Sequence, residues 1–194
     1  MRKCLLALLA ALALLLAACR PATPEPETPP AVEPPSIDDA PVSLSITSLE
    51  VEFAVDGRDA DALLTLQDAF PAALTEALSR QKVTLGTVNL TFGASGEATL
   101  SALRLGTVQL AFLPAEHGFA YRGGEFLAVE RGEEGELSRS VLVLAFPEPH
   151  LAEALRAALP DLASVLADYA GEYEYDQAAI EALRNTFEEN NDSL

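Results

Sequence analysis

Cysteine, tryptophan and basic residues are scarce in this sequence of 194 residues, and each shortage excludes something. Cys4 and Cys19 are the only cysteines, so the rest of the chain has no disulfide, cysteine zinc ligand or cysteine nucleophile. With no tryptophan and 6% aromatic residues, we expect a core of Leu, Val, Ala and Phe. Twelve basic against thirty acidic residues give a formal charge of −18, which argues against binding to nucleic acid or anionic lipid.

The N-terminus has the pattern of an export signal. Arg2 and Lys3 precede an uninterrupted apolar run over residues 5–16, which is shorter than the roughly 20 residues that span a bilayer. The sequence Leu-Ala-Ala-Cys over residues 16–19 resembles the lipobox of bacterial lipoproteins, in which the cysteine is lipidated after cleavage. We therefore expect residues 1–18 to be a cleaved signal, Cys19 to carry lipid, and the protein to be extracytoplasmic, anchored to the bacterial cell membrane. The alternative is an ordinary secretory signal with an incidental cysteine.

Two further regions follow the signal. Residues 19–43 are rich in Pro and Glu and have few large apolar side chains, so we expect a disordered, extended tether. Residues 44–194 are numerous enough for one domain with its own core. Removal of the signal takes away Arg2 and Lys3, which changes the formal charge from −18 to −20.

Hydrophobic periodicity in residues 44–194 alternates between strands and helices. Apolar residues recur every second position over residues 51–55, 88–92 and 108–112, and the segments between them have helical spacing. Two more strands are predicted over residues 125–130 and 138–146, followed by helices over residues 151–159, 161–169 and 176–188. Asp59 or Asp61 is expected to cap the first helix, which Pro71 would kink or restart, and Asp161 and Asp176 lie where the last two helices should be capped. Strands alternating with helices predict an α/β fold with a mainly parallel sheet flanked by helices.

One stretch resembles a known family. The sequence ATLSALRLGTVQLAFLPAEHGFAY over residues 98–121 resembles the first lobe of the phosphate/phosphonate substrate-binding proteins of ABC importers, as does the preceding segment from Phe53. Residues 166–184 resemble the C-terminal helices of that family more weakly. The resemblance implies one lobe of a type 2 periplasmic binding protein with a C-terminal helical remnant. A second lobe with its Ser/Thr cluster is not found in the sequence.

Turns after the three predicted parallel strands are the candidate ligand site. In an α/β fold, ligands bind outside the carboxyl ends of the strands, where helix N-termini attract oxyanions. The candidate ligand-binding residues are Asp56, Gly93, Ser95, Gly96, Thr99, Pro114, Glu116 and His117. For Ser95 the alternative is a helix cap, because any strand-to-helix turn favours such residues. Arg58, Arg104 and Arg122 are the nearest cations in sequence, and each has the alternative of a surface ion pair.

Three functional classes remain to be compared. The resemblance favours a solute-binding lipoprotein of a phosphonate-type ABC uptake system, which could be an accessory or a degenerate one. It implies weak binding of a small phosphate-like oxyanion, with an ABC permease as a further partner. The alternative is a single-lobe scaffold lipoprotein that binds a protein, or a second copy, across its open cleft. An enzyme is disfavoured because the sequence has no known catalytic motif and only two distant histidines, His117 and His150; no cofactor or metal is expected.

Overall fold

A mixed sheet of six strands organises the part of the chain that the structure describes. The structure is a computed structural model, and it describes residues 43–55, 57–132 and 135–192. The predicted signal, Cys19, nearly all of the predicted tether and Asp56 lie outside the described residues. The strands are β1 (Leu44–Ala54), β2 (Val83–Gly93), β3 (Leu110–Pro114), β4 (Gly124–Glu130), β5 (Ser140–Ala145) and β6 (Tyr173–Glu174). The helices are α1 (Ala60–Arg80), α2 (Gly96–Leu105), α3 (Ala115–Phe119), α4 (Pro149–Ala170) and α5 (Gln177–Asp192).

The strand order is β2-β1-β3-β5-β4-β6. β1 is parallel to both β2 and β3, whereas β5 lies antiparallel between β3 and β4, and β6 is antiparallel to β4. Strands β1 to β4 therefore run in one direction, and β5 and β6 run in the other. This confirms the predicted α/β fold with a mainly parallel sheet, and it adds two reversed strands at one side.

Each face of the sheet has its own hydrophobic cluster. On one face, α1 and α4 cover an aromatic group in which Phe53 stacks on Phe112 at 4.0 Å between ring centroids. Phe70 and Tyr169 approach Phe53 edge-on, at 5.1 and 4.7 Å. The other face is packed by α2, α3 and α5 around smaller residues such as Ala111 and Val143. Two covered faces agree with the nearly continuous apolar sequences of β3 and β5.

β1 and β2 begin earlier than predicted, at Leu44 and Val83. In β1 the side chains that face the α1–α4 cluster change from even to odd positions between Ile46 and Leu49. In the neighbouring strand β2, the side chains that face this cluster change from odd to even positions at Gly86. A Cβ on Gly86 would lie 2.5 Å from the carbonyl oxygen of Thr47. This paired irregularity interrupts the alternation, and for that reason the first half of each strand did not appear in the periodicity.

Helix ends agree with the sequence signals. Asp59 accepts hydrogen bonds from the first turn of α1, and Asp176 accepts them from Ala178 and Ala179 at the start of α5. Gly106 ends α2 with a φ of 71°, a left-handed conformation that glycine adopts without strain.

Two prolines lie inside helices that continue through them. The predicted helices over residues 151–159 and 161–169 are one helix, α4, with Pro160 in its interior, so the prediction of a break was wrong. Asp161 is correspondingly no cap, and it accepts a hydrogen bond from Arg80 Nη1 at 2.9 Å. Leu155, Leu159, Leu162 and Leu166 keep one apolar face of α4 buried on both sides of the proline. That burial outweighs the roughly 3 kcal/mol cost of an interior proline. Pro71 likewise neither ends nor restarts α1.

Both hydrophobic clusters lie within the compact unit Ala40–Leu194. This unit contains every described strand and helix, so it carries a complete core of its own. Among the described helices, none combines the length and hydropathy needed to cross a membrane.

Candidate functional site

A cleft opens at the carboxyl edge of the sheet, between the ends of β1 and β3. β1 ends there at Ala54 and β3 ends at Pro114, which pairs with Ser140 at the start of the reversed strand β5. The cleft has a volume of about 270 Å³. Its lining residues are Ala54, Arg58, Pro114, Glu116, His117, Ser138, Ser140 and Tyr169. The cleft therefore lies where ligands are expected in an open α/β sheet.

Arg58 provides the positive charge in this cleft. Its Nη1 donates to the carbonyl oxygen of Tyr169 at 2.7 Å, and its Nη2 donates to Ser140 Oγ at 2.9 Å. The guanidinium carbon lies 4.8 Å from the centre of the Tyr169 ring, so a cation–π contact supports it as well. A guanidinium has five N–H donors, and two of them donate to described residues. Arg58 is thus held in place while keeping donors for a further acceptor.

Glu130 and Ser140 fix the position of Arg58 from below. Glu130 Oε2 lies 3.6 Å from Arg58 Nη2 and accepts a hydrogen bond from the Ser140 backbone N–H at 3.0 Å. The ion pair is half-buried, with 28% of the Arg58 side chain and 19% of the Glu130 side chain exposed. Glu130 also balances the charge of Arg58, and Glu116 adds a carboxylate to the lining, so the cleft has no excess positive charge.

Tyr169 lines the cleft beside Arg58, and Tyr173 is buried against Phe112 and does not line it. The Tyr169 hydroxyl donates to the carbonyl oxygen of Ala54 at 2.6 Å, which ties α4 to the end of β1. Burial raises the pKa of Tyr173 well above its ordinary value, and the neighbouring Tyr169 adds to the rise. Tyr173 therefore stays neutral at physiological pH and contributes no negative charge that would repel an anion.

His117 and Glu116 form the opposite wall. His117 Nε2 lies 3.3 Å from Glu116 Oε1, and 28% of the His117 side chain is exposed. The imidazole packs directly on Gly96, where an added Cβ would lie 2.2 Å from His117 Cδ2. Pro114, Glu116 and His117, all predicted from the sequence, thus line one cleft with Gly96 behind them.

The other predicted residues lie outside this lining. The Ser95 hydroxyl accepts the Ala98 backbone N–H at 3.2 Å, the capping arrangement given above as its alternative role. Thr99 is fully buried in the first turn of α2, and its hydroxyl has no hydrogen-bond partner in the described structure. A Cβ on Gly93 would lie 2.1 Å from that hydroxyl, so Gly93 lets α2 approach β2 closely. Ligand contacts stay predictions for all eight candidate residues, those in the lining included.

Ser138, Ser140 and Tyr169 were not among the predicted site residues. Ser140 is the first residue of β5, which inserts between β3 and β4, and Tyr169 belongs to a helix more distant in sequence. Arg58 was considered only as a cation near the mouth, with a surface ion pair as its alternative, and it proves to have both an ion pair and a place in the cleft. Arg104 instead donates to the carbonyl oxygen of Ala120, and Arg122 lines a separate depression near Phe187.

The arrangement suits a small ligand that accepts hydrogen bonds. A guanidinium, two serine hydroxyls and an imidazole supply hydrogen-bond donors on different sides of one cleft. Charge-assisted bonds from a guanidinium to an oxyanion are stronger than neutral ones. No group of three or more His, Cys, Asp or Glu that could hold a metal ion occurs within residues 43–55, 57–132 and 135–192.

The fold and cleft define an α/β domain with a polar site at the carboxyl edge of its sheet. A solved structure of XAC2383 from Xanthomonas citri, bound to chloride, is similar with a TM-score of 0.50 and 8% identity, and the match covers 76% of this chain and 99% of that chain. A second XAC2383 structure, bound to ATP, matches at a TM-score of 0.49 with 8% identity and the same coverage. The alkanesulfonate-binding protein SsuA from Xanthomonas axonopodis pv. citri, bound to MOPS, matches at 0.32 with 11% identity over 48% of this chain and 30% of that chain. Such identities show likeness of fold alone. No protein-family model and no curated protein matches the sequence.

Proposed function

We propose that this chain is an extracytoplasmic solute-binding lipoprotein, anchored through lipid at Cys19, whose cleft binds a small phosphate- or phosphonate-like oxyanion. The observation that carries the proposal is Arg58, which is held at the carboxyl edge by Ser140 and Tyr169 with donors to spare. The lipobox-like sequence before Cys19 supports export and anchoring. The resemblance of residues 98–121 supports a place in an ABC uptake system with a permease as partner. The proposal includes no catalytic step.

Arg58 would hold one edge of the oxyanion, with the Ser140 and Ser138 hydroxyls beside it. Ser140 is almost fully buried, whereas Ser138 is exposed at the mouth. The His117 imidazole lies across the cleft and is able to donate a hydrogen bond to the same ligand. XAC2383, which is similar in fold, has been solved with chloride bound, and chloride shares the charge of the proposed ligand.

The affinity of one isolated copy should be low. Hydrogen bonds to a charged group contribute about 1.5–3 kcal/mol each, and four donors give a gross total of about 6–12 kcal/mol. Association removes an estimated 4–15 kcal/mol, whereas micromolar binding needs a net value of about −8.2 kcal/mol. Glu130 neutralises Arg58, and the chain as a whole is strongly acidic. We therefore expect millimolar binding by the monomer.

Calorimetry on the Ala40–Leu194 unit tests the proposal. Phosphate, phosphite and methylphosphonate are titrated at constant ionic strength into the parent and into two charge-matched variants, Arg58→Gln and Arg80→Gln. Arg80 is a suitable control because it pairs with Glu76 and Asp161 on the surface, away from the cleft. We expect Arg58→Gln to abolish binding and Arg80→Gln to leave it unchanged. Equal losses in both variants would show that binding reflects overall charge, not the cleft.

The scaffold alternative has one observation in its favour. Leu105 and Phe146 are 79% and 69% exposed, and both lie at the end of the sheet opposite the cleft. The Phe146 ring packs near Gly106. The backbone φ of Phe146 is 53°, which is unusual for a bulky residue. If none of the three oxyanions produces heat in the titration, even at tens of millimolar, this alternative is favoured over solute binding.

A further inference from the structure

β2 forms an open edge of the sheet. It is eleven residues long and pairs with β1 on one side, and no strand within the described residues lies on its other side. The strand at the opposite edge, β6, has only two residues. A long edge strand presents unpaired N–H and C=O groups that readily pair with another strand.

β2 lacks the features that usually protect such an edge. Between Val83 and Gly93 there is no Lys, Arg, Asp, Glu or Pro, although 22% of the whole chain is charged. The one irregularity is at Gly86, and beyond it residues 87–92 follow a regular alternation next to β1. Charged residues, prolines or short length normally prevent an edge strand from pairing with another chain. Residues 87–92 are therefore a free, uncharged pairing segment.

The side chains of this segment suit pairing with an identical copy. Val88, Leu90 and Phe92 pack on the α1 side of the sheet but are only half-buried. Thr87, Asn89 and Thr91 are exposed on the other side. When two identical strands pair antiparallel about a two-fold axis through one residue, odd positions face odd and even positions face even. Apolar side chains then meet apolar ones, and Thr and Asn meet Thr and Asn, which are favourable cross-strand pairs.

Charge favours this edge over other surfaces for self-association. Two copies of a chain with a formal charge of −18 repel one another, so an interface between them must avoid facing carboxylates. β2 itself contributes no charged residue to this edge, and the nearest carboxylates, Glu50 and Glu52, lie one strand further in, where they accept hydrogen bonds from Asn89 and Thr91. We propose that residues 87–92 pair antiparallel with the same segment of a second copy, so that the two sheets become one continuous sheet. The carboxyl edges then point in opposite directions, and both Arg58 clefts stay open.

Single cysteines report this pairing directly, because Cys4 and Cys19 both precede the Ala40–Leu194 unit. Cysteine is placed in turn at Val88, Asn89, Leu90 and Thr91, and the purified unit is oxidised mildly. We expect disulfide-linked dimers from the position nearest the two-fold axis and fewer from its neighbours. Cysteine at Thr65, which is exposed on α1, is the control for random collision. Cross-linking no greater than that of the Thr65 variant, at all four positions, would overturn the proposal.

Sedimentation equilibrium of the same unit gives an independent test without cysteines. We expect the parent unit to dimerise in the micromolar to sub-millimolar range. Thr87→Lys with Thr91→Lys places like charges at the edge and should weaken dimerisation at least about tenfold. Thr65→Lys with Gln67→Lys adds the same two charges at exposed positions of α1 and should have no effect. Circular dichroism confirms that all variants stay folded. A monomeric parent, or a dimer that the two lysines do not weaken, would contradict pairing through β2.

Discussion

Replacement of Leu110 by alanine should be among the most destabilising changes in this domain. Leu110 is 1% exposed on β3, where it pairs with Val51 of β1 on one side and Leu144 of β5 on the other. It belongs to the cluster that α1 and α4 cover. The side chain is therefore enclosed by two strands and a helical layer.

The size of the effect follows from that enclosure. Truncation removes three carbon atoms, which costs about 2.4 kcal/mol at about 0.8 kcal/mol each. A cavity term adds to this because strands on both sides limit collapse, and measured buried Leu→Ala changes span about 2–5 kcal/mol. We expect the free energy of unfolding of Leu110→Ala to fall within that range, nearer its upper end.

Urea unfolding of the Ala40–Leu194 unit, followed by circular dichroism, measures the change. Leu105→Ala is the matched control, since the same substitution five residues earlier affects a side chain that is 79% exposed. The control should change stability by less than about 0.5 kcal/mol. A loss below about 0.5 kcal/mol for Leu110→Ala as well would place Leu110 on the surface and refute the assignment of β3 as a central strand.

Three further predictions concern the anchor, the cleft and the exposed sheet face. Cys19→Ser should release the protein from the membrane fraction, and a variant that stays as firmly in the pellet as the parent would place the anchor elsewhere. Gly96→Ala should displace the His117 ring, since its Cβ would lie 2.2 Å from Cδ2; unchanged imidazole NMR signals would contradict this packing. Hydrogen bonds from Ser48 and Asn89 lower the pKa of Glu50, so Glu50 contributes stability above its ordinary pKa that is lost as pH falls through the lowered value. Asn89→Ala should raise the pKa of Glu50 in an NMR titration, and a constant or lower value would show that the Asn89 bond at 2.7 Å is unimportant.

Periodicity predicted the parts of the fold that local sequence decides. Apart from Ser140, β3 and β5 are apolar because helices cover both faces, and such runs are plain in the sequence. The caps at Asp59, Ser95 and Asp176 are satisfied by backbone N–H groups within three residues of each cap. These features need no long-range contact, so the sequence was sufficient to predict them.

Features that depend on tertiary packing were missed. The phase change at Gly86 responds to the Thr47 carbonyl of the neighbouring strand, and α4 continues through Pro160 because its apolar face is buried on α1 and the sheet. β6 has two residues and exists only because β4 lies beside it. No local pattern signals any of these.

The candidate site divides in the same way. Pro114, Glu116 and His117 end or follow a predicted strand, and the structure places them in the lining of the cleft, while their binding of a ligand stays a prediction. Ser140 reaches Arg58 because β5 inserts in reverse between β3 and β4, and Tyr169 reaches it from the far end of α4. Such contacts join residues 82 and 111 positions apart, and they depend on a strand order that periodicity does not reveal.

NMR of the Arg58 side chain tests most directly whether the cleft binds an oxyanion. The Nε–H signals of the arginines in the Ala40–Leu194 unit are followed by NMR while methylphosphonate is added at constant ionic strength and pH. We predict that the Arg58 signal shifts and saturates with a millimolar dissociation constant, while the Arg80 signal stays constant. A micromolar 1:1 titration that Ser95→Ala abolishes would move the site to the start of α2. An Arg58 signal that does not move, or moves no more than that of Arg80, would contradict oxyanion binding in this cleft.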